Sequence, residues 1–203
     1  MDEVFDKMKS IASLASSMKT FYMRNSRNPT FSYSQAEFGR ILMCIYNIHD
    51  TINALAYYLD REEENHQGAR YLLICGAFQS LCVQQDAVSF LRMILLENEK
   101  KIDWRKDYPT VGKIRDYRNR YFGHPTEGKE QDQFHVGAFM PTSNSLVEVR
   151  LHKAEKVQDV YGALGLENVN VHDAIKEQTL VLYDIMLYIW KAVNEKRAKT
   201  ARA

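Results

Sequence analysis

The sequence is poor in the features that would settle its function quickly. It contains no P-loop, no Rossmann glycine pattern, no GxSxG nucleophile elbow and no HExxH zinc motif, which removes the commonest nucleotide, hydrolase and metalloprotease readings. Cysteines number only three, Cys44, Cys75 and Cys82, all within apolar helical stretches. An odd count without a CxxC pair argues against a disulfide framework or a zinc knuckle, so buried free thiols in a reducing compartment are expected. Net charge is nearly absent as well. Lysine plus arginine (27) almost balance aspartate plus glutamate (26), leaving +1. Any nucleic-acid site must therefore be a local patch. The longest uncharged apolar-rich run, Tyr71 to Gln85, is too short to span a bilayer. The start, Met1-Asp2-Glu3-Val4-Phe5-Asp6, has no apolar h-region, so a signal peptide is not expected. A cytoplasmic location, with no membrane partner, is the resulting expectation.

What is present reads as one mainly α domain over residues 1–203, an antiparallel helical bundle with a small β-hairpin insertion. Val4, Met8, Ile11, Ala15, Met18 and Tyr22 form one stripe, predicting a helix from about Asp2 to Met23. Asn25 to Pro29 is a loop, and Ser34-Gln-Ala-Glu37 reads as a capping box. The helix it opens carries Ile41, Ile45, Ile48, Ile52, Leu55 and Leu59 on one face. It ends in Arg61-Glu-Glu-Glu64, expected as a solvated turn. Tyr71 to Leu96 is hydrophobic nearly all round and predicts a central helix. A charged connection around Trp104 leads to a shorter helix from Pro109 or Thr110 to Phe122, stopped by Gly123-His124-Pro125.

Val147, Val149 and Leu151 alternate with Glu148, Arg150 and His152, which is strand periodicity. With Gln133 to Met140 and the turn Pro141-Thr-Ser-Asn-Ser145, this predicts a β-hairpin over 133–152. Lys153 to Val169 fits one short helix at best. Asn170 is expected to cap a last long helix bearing Val171, Ile175, Leu182, Ile185 and Ile189, and 191–203 to form a basic, frayed tail.

The chemically informative stretch is Ile114-Arg-Asp-Tyr-Arg-Asn-Arg-Tyr-Phe-Gly-His124. On a wheel of about 100° per residue, Val111, Ile114, Tyr117, Tyr121 and Phe122 share one arc. Arg118 falls in the middle of that arc, while Lys113, Asp116 and Arg120 fall opposite. A guanidinium turned inward needs a carboxylate, carbonyl or phosphate partner, because an unpaired buried charge is costly. Its planar fork suits two oxygens at once. Asn119 lies beside Arg118 towards Arg115, and His124 follows the helix end. A histidine titrating near neutrality can move protons at cellular pH. Together these resemble the parts needed to cleave RNA without metal: one group to deprotonate a 2′-OH, one to neutralise the phosphorane, and one to protonate the leaving 5′-oxygen.

Arg118-Asn119, four further residues and His124 resemble the signature of the HEPN superfamily: arginine, a polar residue, a short spacer, histidine. Ala77-Phe78-Gln79-Ser80-Leu81 and Gln84-Gln85-Asp86 in the preceding helix are similar to a group of bacterial HEPN-like proteins. The resemblance covers about Gln35 to His124 and the last long helix. It implies a helical bundle that pairs as a homodimer, with the two motifs forming one cleft. It also implies a metal-independent endoribonuclease without cofactor, acting on RNA in processing, toxin–antitoxin or antiviral settings, with an antitoxin or regulatory partner. Carried over, Arg118 stabilises phosphate, His124 is the acid/base and Asn119 orients them. Products then carry 2′,3′-cyclic phosphate and 5′-OH ends. One toxin subgroup has a tyrosine two positions after the histidine, which a partner enzyme modifies; here Thr126 stands there, so that modification is not expected.

Structural readings compete. His124 can serve as a helix stop whose charge complements the helix dipole, and Arg118 can be a buried arginine paired with Asp86. Asp86 and Arg115 are then supporting residues rather than catalytic ones. The rival function is a non-catalytic HEPN-like module that binds a nucleotide, RNA or a protein. His49 reads as a core-edge histidine. His135 and His152 approach each other on the expected hairpin but lack a third metal ligand. Tyr57, Tyr58, Tyr183, Tyr188 and Trp190 fit helix packing better than base stacking.

Overall fold

A computed structural model describes residues 1–25, 33–96, 99–122, 144–153 and 165–200. The N-terminal stripe becomes helix α1, Asp2–Asn25, and buries Val4, Met8, Ile11, Ala15, Met18 and Tyr22 as expected, with Phe21 added. Helix α2, Gln35–Leu59, opens with the capping box: the Ser34 hydroxyl accepts from the Glu37 amide at 3.2 Å, and the Ser34 amide donates to the Glu37 carboxylate at 2.8 Å. Its isoleucine and leucine face is buried. Two contacts, Ser16 to His49 and Lys19 to Tyr46, show α1 and α2 running antiparallel.

Helix α3, Gln67–Leu95, packs against α2, against α6 (Val171–Thr200) and against α5 (Pro109–Tyr117). With α1 touching α2 and α6, four long helices close a bundle, and α5 leans on α3 and α6 from outside. The all-round apolar character of α3 does not bury it completely: Leu72, Phe90 and Met93 remain exposed. In its middle, polar side chains are buried instead. Gln178 donates to the Leu81 carbonyl at 2.9 Å and to Gln84 at 3.1 Å, and Gln85 donates to Gln178 at 2.8 Å and to the Val111 carbonyl at 3.1 Å. These bonds tie α3, α5 and α6 into one register.

The strand expected over 146–152 forms β1, Glu148–Lys153. Its antiparallel partner is β2, Gly165–Asn170, in register Val149↔Val169, where a short helix was at best expected. The other expected strand, 133–140, lies outside the described residues. Both paired valines are buried, so β2 succeeds as a strand by burying Val169 against the same core as Val149. Asn170 caps α6, accepting from the Asp173 amide at 3.0 Å. The tail expected to fray from 191 is helical as far as Thr200, and burial of Val193 anchors its first turn.

The Arg61–Glu64 turn exposes the Glu62 and Glu63 side chains, but its backbone is paired rather than merely solvated. The Glu62 carbonyl accepts from the Leu146 amide at 2.8 Å, and the Glu64 amide donates to the Asn144 carbonyl at 2.9 Å. The Tyr58 hydroxyl donates to the Leu146 carbonyl at 2.6 Å. The strand insertion is thereby seated on the end of the bundle where α2 hands over to α3. Among the described residues, no helix is long and apolar enough to cross a membrane.

Candidate active site

The site is built where α5 runs antiparallel along the edge of α3. Before α5, the four-residue helix α4, Trp104–Asp107, is capped by Asp103 and buries Trp104. Gly112 lets α4 come close: a Cβ there would lie 2.6 Å from the Trp104 carbonyl oxygen and 2.7 Å from the Arg105 Cα. An Arg105–Asp116 ion pair closes the same contact from the solvent side.

Beyond Tyr117 the helix widens into a π turn, Arg118–Phe122. Such turns are short and recur at functional positions. Aromatic packing holds this one on α3. The Tyr117 ring meets Phe78 edge-on at 6.2 Å, and the Phe122 ring stacks on Phe78 at 5.1 Å. Gln79 follows Phe78 in sequence, and its amide oxygen accepts from Arg118 Nε at 3.0 Å. Arg118 Nη1 donates to Asn119 Oδ1 at 2.9 Å. Arg118 is therefore turned inward but only half-buried, at the α3 boundary and not in the core. The arc it belongs to meets the polar edge of α3, and the wider π turn departs from the α-helical spacing that the wheel assumes.

The expected structural pairing of Arg118 with Asp86 does not occur. Arg115 takes that partner, with Nη1 3.1 Å from Asp86 Oδ1 and Nη2 3.2 Å from Oδ2. Its Nη1 also reaches Gln85 Oε1 at 3.3 Å, which joins the ion pair to the buried amide network. Asp86 and Arg115 thus pair with each other across the α3–α5 contact. Lys101 approaches the same carboxylate at 3.9 Å.

A groove of about 490 Å³ opens beside these groups. Asp86, Arg115 and Asn119 line one side, and Lys101, Trp104 and Arg105 line the other. Asn119 thus borders the groove while holding Arg118. The Trp104 indole N–H is buried without a hydrogen-bond partner among the described residues. Cys82 lies close to both arginines. Burial pushes its thiol up to about 11, against a smaller downward pull from Arg115 and Arg118, so it stays a protonated, unreactive thiol. Cys44 is likewise raised by burial to about 11, and all three cysteines are free.

His124, the expected acid/base, lies outside the described residues, as do His135 and the side chain of His152. Among the described residues, no group of three metal-ligating side chains comes together. His49 is half-buried, with Nε2 3.2 Å from the Ser16 hydroxyl, as suits a core-edge residue. Tyr58 is buried, whereas Tyr57 and Tyr188 are half exposed and more open than helix packing alone suggested. Lys101 and Arg105 gave no signal as site residues, because a charged interhelix connection has no periodicity, and Asp116 read only as a solvent-face residue of α5. Gln79 could be found only through the family-like stretch around Phe78. No family model matches the chain, and neither a curated protein nor a solved structure is significantly similar to it.

Proposed function

We propose that this protein is a metal-independent endoribonuclease of the HEPN type, acting as a homodimer in which two motifs form one cleft. The observation that carries this reading is the state of Arg118. Its guanidinium is half-buried and oriented by two neutral amide oxygens, and among the described residues no carboxylate pairs with it. A fixed cation with uncancelled charge is what a phosphodiester passing through a phosphorane requires. The adjoining groove supplies room for the flanking nucleotide. In the reaction, the 2′-oxygen attacks phosphorus, the bond to the 5′-oxygen breaks, and a 2′,3′-cyclic phosphate and a 5′-OH result. His124 takes and returns the proton, Arg118 carries the phosphorane charge, and Asn119 keeps Arg118 aligned. A toxin or defence setting with an antitoxin or regulatory partner follows from the same resemblance.

The test is incubation of the purified protein with RNA in the presence of EDTA, with mapping of fragment ends. Cleavage with cyclic-phosphate ends is expected. His124→Ala should abolish it, and Arg118→Ala should slow it by about 10²-fold, the usual effect of losing one transition-state donor, with circular dichroism unchanged. Undiminished cleavage by His124→Ala would assign the activity to another site or a contaminant. RNA bound tightly but returned intact would mark a non-catalytic binding module.

A further inference from the structure

The edge of α3 offers two acceptors two turns apart, the carboxamide of Gln79 and the carboxylate of Asp86. Antiparallel to it, α5 and its π turn bring Arg118 to the first and Arg115 to the second. The two rungs differ in charge. Arg115 is neutralised by a bidentate carboxylate, and Arg105 nearby is matched by Asp116. Arg118 is met by Gln79 through Nε and by Asn119 through Nη1, both neutral. Among the described residues Arg118 makes no other hydrogen bond, so there each Nη nitrogen keeps an N–H to donate. A carboxylate at position 79 would hold the guanidinium more strongly, because charge-assisted bonds are the stronger ones. It would also cancel the charge that a phosphate needs.

We propose that Gln79 is the positioning residue for Arg118: its amide oxygen fixes the guanidinium plane through Nε while leaving the positive charge free for a phosphodiester. This rests on the ribonuclease reading for the identity of the ligand, but not for the orientation of Arg118. Gln79 is itself exposed, so it can be exchanged without opening the core.

Two variants and two readouts test it. Gln79→Glu keeps the acceptor oxygen and adds a charge. It should match or exceed the wild type in urea midpoint, yet bind a 2′-O-methylated single-stranded oligoribonucleotide about tenfold more weakly, the effect of losing one charge-assisted bond. Stability and affinity moving in opposite directions is not what a merely structural residue would produce. Gln79→Ala should accelerate solvent exchange of the Arg118 Nε–H resonance in ¹⁵N NMR, assigned by its absence in Arg118→Lys. Two results overturn the proposal: an unchanged Nε–H resonance in Gln79→Ala, or wild-type affinity in Gln79→Glu while Arg118→Ala binds weakly. If Arg118→Ala binds as tightly as the wild type, the ribonuclease reading fails, and the resonance still decides whether Gln79 orients Arg118.

Discussion

Arg115 and Arg118 stand three residues apart, yet their guanidinium groups end in different electrostatic surroundings. Arg115 is locked to Asp86 and touches the fully buried Gln85. Its removal leaves a carboxylate and a buried amide oxygen short of donors. Because the pair is about a third exposed, solvent screening limits the loss. Arg115→Ala should cost about 1–2 kcal/mol, and Arg118→Ala under about 1 kcal/mol, since its two partners can turn to water. Urea denaturation of both variants checks this, and the reverse order would exchange their roles. His172 is the other informative residue. It is buried against Tyr58, and burial holds its imidazole below the ordinary value near 6.5, against smaller upward pulls from the Arg61 carbonyl, Glu62 and Asp173. The unfolded chain therefore binds this proton at higher pH than the folded one. Its contribution to stability is complete above about 6.5 and is lost as pH falls from there through the lower folded value. His172→Asn should show a smaller drop in Tm between about pH 7 and about pH 5.5 than the wild type. Equal drops would mean that His172 carries none of the pH dependence.

Among the elements, the α4–α5 contact determines whether the groove exists. Gly112 sits in a helix, where alanine would ordinarily be better by about 1 kcal/mol. Here the added Cβ would collide with the backbone of Trp104 and Arg105, which cannot swing aside as a side chain would. Overpacking of this kind costs about 1–3 kcal/mol. Gly112→Ala should therefore be destabilising overall and should loosen the Arg105–Asp116 closure. A higher thermal midpoint in that variant would show that α4 moves away freely. The π turn is the second element of consequence. Phe78 holds it through Tyr117 and Phe122, so the rings that fix the backbone also determine where Arg118 points.

In the whole molecule, the buried amide network links the candidate site to the bundle. Gln178 on α6 holds α3 by two bonds and Gln85 by a third, and Gln85 in turn holds α5 and Arg115. Gln178→Met keeps the volume but strands the Gln84 amide oxygen and one side-chain N–H of Gln85. Unsatisfied buried groups of this kind should cost roughly 3 kcal/mol in all. A loss below about 1 kcal/mol in urea denaturation would mean that the network relaxes or takes up water. On the proposed ribonuclease reading, loosening α6 also frees α5 and should lower Arg118-dependent RNA affinity without touching the groove.

The sequence by itself determined the helices, because stripes and caps are local. The isoleucine face of α2, the Ser34 box and the Asn170 cap need only neighbours within four residues. It also marked the 114–124 stretch as chemically unusual, since an arginine among apolar positions is visible on any wheel. Tertiary structure alone decided the pairings. Arg115 and Arg118 were both within reach of α3, and only the antiparallel docking of α5 and the π turn assigned Asp86 to one and Gln79 to the other. The strand at 165–170 was illegible for the same reason. Its pattern is weak, and the β1 edge supplied the partner that made it a strand.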